Sequence, residues 1–317
     1  MSTVCEDDLP WLVAADGMRI PPFGIGTHQL RGDDCTAAVA MALRAGVRLI
    51  DTAAAYRNEA LVARGIKAAG VRRESFVVVV KIAPKAMGPT AAHVAAGVRQ
   101  SIRTLDVNYA DVVLLHWPGC GGAAVGDSAA HRTARRHCWE ALEELQREGI
   151  VRHVGVSNFL PRHFAHLAAD STEGALFNST NTTCRPVVNQ IELHPLCVQK
   201  EVCDYCQARG IILQQYSPLA KGNPMLLEHP VLCRIVRDVF PGFSVSDVLI
   251  MWGLCQGFCV LVRCRSEEHL KQNLNATRAF FTKGSLSDYQ MEQLRSLRES
   301  MGITEDHHFF WHSNNID

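Results

Sequence analysis

Four side chains that can carry charge or move a proton sit at or just beyond separate β-branched runs. Asp51 closes VRLID at residues 47–51. Lys81 closes the run from Ser75, which holds four consecutive valines. His116 lies near the end of DVVLLHW, residues 111–117, and Tyr56 follows Asp51 by five residues. A phenol titrates at about pH 10 and is by itself a poor proton donor at neutral pH. An ammonium beside it favours phenolate and lowers that pKa. Lys81 is the candidate ammonium, and Asp51 is the carboxylate that would hold it charged and oriented. His116 would aim a ring N–H at a substrate oxygen. Together they make a general-acid site for a carbonyl, with donors where alkoxide charge develops.

Other polar residues close further runs: Ser157 and Asn158, Asn189 and Gln190, Tyr216 and Arg263. Each alone is weak, because an isolated charge after a strand is more often a solvated loop residue. A lone histidine beside an apolar strand is more often a satisfied core residue. The weight comes from the fold, which would bring all of them to one mouth.

That fold is legible as a repeating unit: a helix-period segment, a glycine stop, a short β-branched run, then a polar residue. Cys35 to Gly46, Asn58 to Gly70 and Cys138 to Glu148 (stopped by Gly149) are such helices, and the stripe Val94, Val98, Ile102, Leu105 marks another. A fifth begins near Pro161, a sixth spans about Lys200 to Arg209, and a seventh opens at Ser244 with Asp247 as a capping partner. With the segment Phe23 to Thr27, eight strand candidates alternate with helices. Alternation implies a parallel sheet, and eight units imply a closed (β/α)8 TIM barrel, of class α/β. A doubly wound open sheet is the runner-up, but it wants a glycine-rich dinucleotide fingerprint that G-x-G-T at 24–27 does not supply. LVAADGMRIP, residues 12–21, reads as a hairpin closing the barrel bottom, and 286–302 as an extra C-terminal helix. Residues 1–317 read as one domain.

The composition bounds the partners. Lys plus Arg equals Asp plus Glu at 32 each, so a zero formal charge argues against nucleic acid or an anionic membrane surface. The N-terminus lacks the pattern of a signal peptide, and the apolar stretch 248–262 is too short to span a bilayer. The twelve cysteines read as reduced thiols of a cytosolic, cytoplasmic protein. Cys203-x-x-Cys206, without a second pair, reads as packing; no metal site is expected. The N-x-S/T triplets at Asn178, Asn181 and Asn275 carry no message in that setting.

Over almost the whole chain the sequence resembles the aldo-keto reductases, through GMRIPPFGIGT, LIDTAAAYRNE, LLHWP, GVSNF, VNQIELHP and YSPL. The resemblance implies a barrel oxidoreductase that reduces an aldehyde or ketone with NADPH, or less strongly NADH, and works as a monomer. It implies that Asp51, Tyr56, Lys81 and His116 are the catalytic tetrad. Ser157, Asn158 and Gln190 would hydrogen-bond the nicotinamide amide, and Tyr216 would stack on its ring. Ser217, Leu219 and Lys221 would follow the pyrophosphate, with Gly26 and Thr27 also at the cofactor. His28, Ala83 and Trp117 would line the substrate pocket; the family usually has tryptophan at the first position and often at the second. Their loss implies a larger, more polar pocket.

At the 2′-phosphate the family's lysine, serine and arginine correspond to Arg263, Cys264 and His269, with Asn273 kept for the adenine. Arg265 is an added cation. One fixed guanidinium implies a preference for NADPH, weakened by a histidine that is largely neutral at pH 7 when unshifted, and weakening further as pH rises. The 170–185 insert and the tail HHFFWHSNNID depart from the family, and the tail reads either as a lid over substrate through Phe309, Phe310 and Trp311 or as hydrophobic filling. Two other functions stand beside the reductase: a Schiff-base lyase through Lys81, and a non-catalytic barrel kept for binding or sensing.

Overall fold

The computed structural model describes residues 9–170, 185–310, 313, 315 and 316. A two-stranded antiparallel hairpin comes first, β1 (Leu12–Val13) and β2 (Arg19–Ile20). Eight parallel strands then close on themselves: β3 (Phe23–Gly26), β4 (Leu49–Asp51), β5 (Val77–Ile82), β6 (Ala110–Leu115), β7 (Val151–Ser157), β8 (Pro186–Glu192), β9 (Ile212–Tyr216) and β10 (Cys259–Val262). β10 pairs with β3 to complete the barrel. The (β/α)8 expectation is met, and so is the hairpin at the base. Ala14, Met18 and Ile20 pack with Leu49, Val77 and Val79 in the barrel interior.

Successive residues of a strand face opposite sides. Val77 and Val79 point into the barrel, while Val78, Val80 and Ile82 join the outer core beneath the helices. Lys81 therefore continues the inward series, one layer above Val79. The same parity takes Leu49 to Asp51, Val112 and Leu114 to His116, Val188 to Gln190 and Glu192, and Cys259 and Leu261 to Arg263. β7 contributes Gly155 below Ser157. A Cβ on Gly155 would stand 2.7 Å from both Leu114 Cδ2 and the Val188 oxygen, so a larger residue would force the barrel apart. The apolar layers fill the lower barrel and polar residues crown it, as expected of a barrel with its chemistry at the strand C-termini.

Several boundaries move. The helix expected from Cys138 starts ten residues earlier, at Ser128, and runs to Arg147. Its first half looks polar, yet His131 and Arg135 are buried there. The Ser244 capping box is present, with the Asp247 carboxylate accepting from the Ser244 backbone. The extra C-terminal segment is two helices, Asp288–Arg295 and Leu297–Ser300, and a further helix at Pro230–Val239 lies outside the eightfold pattern. Cys203 and Cys206 lie in the helix Lys200–Gln207, and burial pushes each thiol up to about 12. The described cysteines are all free. Among the described residues no helix is long and apolar enough to cross a membrane. The insert at 171–184 and Trp311 lie outside the described residues.

Candidate active site

A cavity of about 730 Å³ opens at the crown of the barrel. Its chemistry starts with a buried ion pair. Register places Asp51 at the end of β4 beside Val79, and Lys81 projects from β5 just above. Lys81 Nζ donates to Asp51 Oδ1, to the Thr52 oxygen at 3.3 Å and to Tyr56 Oη at 3.2 Å. Gln190 Nε2 donates to the other carboxylate oxygen at 2.7 Å. The pair is thus paired and hydrogen-bonded, the condition under which burying charge is tolerable.

Tyr56 sits in a short 3-10 turn, Ala54–Tyr56. Asn58 then ties this loop to the turn after β3 through bonds to the Thr27 and Leu30 oxygens, at 2.8 and 3.1 Å. The phenol is held over Lys81 with the His116 ring edge-on, centroids 5.8 Å apart. Burial, then the Asp51 carboxylate, push the Tyr56 phenol well above its ordinary value. This reverses the expectation of a lowered pKa. Desolvation and the Asp51 charge outweigh the neighbouring Lys81 ammonium. Burial also pulls the Lys81 ammonium below its ordinary value, against the opposing charge of Asp51. His116 falls to about 3, through burial and then the Lys81 charge, so its imidazole is neutral. Among the described residues its buried Nδ1 has no hydrogen-bond partner.

The next part of the wall comes from β7, β8 and β9. Ser157 Oγ donates to the Gln190 oxygen at 2.7 Å. Asn158 takes a left-handed φ of 62° and donates through Nδ2 to the His116 oxygen at 3.0 Å. Tyr216 Oη donates to Asn158 Oδ1 at 2.9 Å. The structure thus gathers all four residues that the resemblance assigns to the nicotinamide. His28 also borders the cavity, its ring 4.8 Å from that of Tyr56, as does Trp117.

At the far end lie Ser217, Leu219, Lys221, Arg263, Arg265 and His269. Arg263 donates to Gln29 Oε1. Other expected residues do not reach the cavity wall. Thr27 is buried, donating to Thr52 Oγ1 at 2.9 Å. Cys264 and Asn273 are buried against each other, with Asn273 Nδ2 donating to Cys264 Sγ at 3.0 Å. Ala83 sits half-buried at the start of a 3-10 turn outside the lining. Gly26 does line it, and a Cβ there would meet nothing.

Of the further lining residues, Ser266 has no counterpart in the sequence expectations, while Phe310 belongs to the tail read above as either lid or filling. Ser266 caps the helix Glu267–Lys283, accepting from the His269 amide at 3.2 Å. Ser-Glu-Glu before an apolar position is a helix-start signal that points to it. Phe310 comes from the tail and stands edge-to-face on Tyr216 at 5.4 Å, with Lys221 Nζ 2.8 Å from its ring centre. Phe309 instead packs on the core, so the tail both docks on the barrel and reaches the cavity.

Comparison with known proteins agrees with the barrel fold and gives the family. The model of the Aldo/keto reductase family matches residues 22–299. A glyoxal reductase of Bacillus subtilis (strain 168) is 34% identical over 259 residues, 81% of this chain and 83% of that protein. The glycerol 2-dehydrogenase (NADP(+)) of Saccharomyces cerevisiae is 32% identical and aligned over 98% of both chains. The crystal structure of an aldo/keto reductase from Brucella melitensis matches with a TM-score of 0.73 at 28% identity, over 91% of this chain and 99% of that one.

Proposed function

The chain belongs to the aldo-keto reductase family, and on that premise we propose that it reduces aldehydes or ketones to alcohols with NADPH, Tyr56 giving the proton. One observation carries the reading: Tyr56 Oη lies 3.2 Å from the Lys81 ammonium and lines the cavity. A phenol with a raised pKa keeps its proton at neutral pH, so it holds what a carbonyl oxygen needs on becoming an alcohol. The proton would pass from Tyr56 Oη to that oxygen. Lys81 would then stabilise the phenolate, and Asp51 would keep Lys81 in place. The neutral His116 ring has one N–H to give, which suits orienting the same oxygen.

The residues present fit a nicotinamide cofactor. Ser157, Asn158 and Gln190 offer hydroxyl and amide groups, and Tyr216 offers an aromatic wall. Lys221, Arg263 and Arg265 offer cations for phosphate, beside a helix N-terminus capped by Ser266. When bound, such a cofactor supplies a hydride to the carbonyl carbon. Glu267 and Glu268 in the first turn of that helix oppose an anion. Three cations against these two carboxylates favour NADPH, with a moderate margin over NADH. The yeast relative's NADP(+) dependence supports the same choice. His28, in the wall beside Tyr56, suits small polar carbonyl substrates, in keeping with the names of the two relatives.

The lyase reading loses support because Lys81 is buried and its three N–H bonds all have partners. Mixing the protein with NADPH and a panel of aldehydes and ketones tests the proposal. Substrate-dependent loss of reduced-nicotinamide absorbance is expected, faster than with NADH. Cofactor binding without turnover across the panel would favour the binding-only barrel. A borohydride-trapped adduct on Lys81 would favour the lyase.

A further inference from the structure

A second set of chemically capable side chains lies where the C-terminal tail crosses the end of β8, and the mechanism above does not use it. We infer that Glu192, Cys197 and His308 form a site for a zinc-class divalent cation that fastens the tail to the barrel. The inference is independent of the proposed function.

The three residues come from different segments. Glu192 is the last residue of β8, Cys197 lies in the turn that follows, and His308 belongs to the tail. One ligand atom from each lies within 4.8 Å of the others. His308 Nδ1 is 3.3 Å from Glu192 Oε2 and 3.5 Å from Cys197 Sγ. Tetrahedral zinc, with bonds of about 2.0–2.3 Å, separates a nitrogen ligand from oxygen or sulfur by about 3.3–3.6 Å. Both separations from His308 Nδ1 are therefore those of two ligands on one ion. A thiolate, an imidazole and a carboxylate together select zinc over magnesium or calcium, which prefer all-oxygen sites.

Those spacings also suit plain hydrogen bonds, so the surroundings decide. The carboxylate of Glu192 is held from outside, at Oε1 by His194 Nε2 at 3.3 Å and the Phe309 amide at 2.9 Å, and at Oε2 by the Phe310 amide at 3.3 Å. This is the outer support that orients ligating carboxylates. Glu192 and Cys197 are also buried, which shields an ion from water. The tail is braced independently of any ion. The Val198 and Gln199 amides donate to Asp306 at 2.8 and 3.1 Å, and the His307 amide donates to the Leu196 oxygen at 2.9 Å. Cys197 and His308 are thus held facing each other before an ion arrives.

On binding, the Cys197 S–H bond breaks, an Sγ–metal bond forms and the proton leaves to solvent. Three protein donors leave a fourth position for water. Phe310 follows His308 by two residues and borders the active cavity, so an ion here would also steady that wall.

The test is optical titration of the full-length reduced protein with Co²⁺, followed by Zn²⁺. A thiolate-to-cobalt charge-transfer band should saturate at a single ion per chain and vanish as Zn²⁺ displaces Co²⁺. Cys197→Ser should abolish the band, Cys203→Ser should keep it, and His308→Gln should weaken Co²⁺ affinity at least about 10-fold. No band in the wild type, or a band that survives Cys197→Ser, overturns the inference. If Cys197→Ser does not fold, unchanged affinity in His308→Gln overturns it instead.

Discussion

The two ends of the cavity are built differently. At one end Asp51 and Lys81 are 3% and 1% exposed and set by the register of β4 and β5, with Asp51 bonded to Gln190 on β8. At the other end Arg265 and His269 are exposed, on the loop after β10 and the first turn of a helix, while Phe310 arrives from the tail. The contrast teaches where the fold enforces geometry. A barrel ladder fixes which way Lys81 points, whereas Arg263 at the far end is bonded to Gln29 in the loop after β3.

The hardest blow to the rigid end is Lys81→Met. It leaves the Asp51 carboxylate buried without its ion partner, which should cost about 3–5 kcal/mol of stability. Denaturant titration checks this, and an unchanged midpoint would mean the ion pair does not organise the crown. At the adaptable end, Arg263→Ala removes a charge-assisted bond of about 1.5–3 kcal/mol. NADPH affinity should fall roughly 10- to 100-fold, with NADH affinity little changed. Equal losses for both cofactors would place Arg263 away from the 2′-phosphate.

A smaller effect separates the tail from the barrel. His163 Nε2 bonds the Ile316 oxygen at 2.7 Å while its Nδ1 accepts from the Leu160 amide, so the neutral ring is the one that fits. Burial, the largest cause, lowers its pKa to about 4. The unfolded chain therefore takes up this proton first, below about pH 6.5. Stability should fall as pH drops from there towards 4, by at most about 1.4 kcal/mol per unit. Melting curves at pH 7 and pH 5 measure it; a flat response, or one shared equally by His163→Phe, would exclude His163 as the source. Smallest is Tyr216→Ala, which should weaken cofactor binding by about 0.5–1.5 kcal/mol beyond lost burial. Unchanged affinity would remove the ring from the cofactor's face.

The same contrast explains what can be read from the residues alone. Alternation along β4, β5 and β6 is enough to assign Asp51, Lys81 and His116 to the inward face. It does not say how far a strand runs: β8 continues past Gln190 to Glu192, because Ile191 keeps the alternation going. The direction of the Tyr56 shift is hidden too, since it depends on burial and on Asp51 offsetting Lys81. Ser266 depends on a loop path, and the choice of Phe310 rather than Phe309 for the cavity on a tail path, that no periodicity encodes. Likewise Asn273, expected at the adenine, is turned onto Cys264, a choice of partner that spacing cannot show.

The proposed reduction turns on Tyr56 holding the proton that Lys81 and Asp51 help it release. Tyr56→Phe keeps the ring and removes only the hydroxyl. Turnover of an aldehyde by the variant, with cofactor affinity measured alongside, tests the claim most directly. Turnover reduced by roughly 10²–10⁴ with cofactor affinity intact is expected. Turnover near that of the wild type would contradict it.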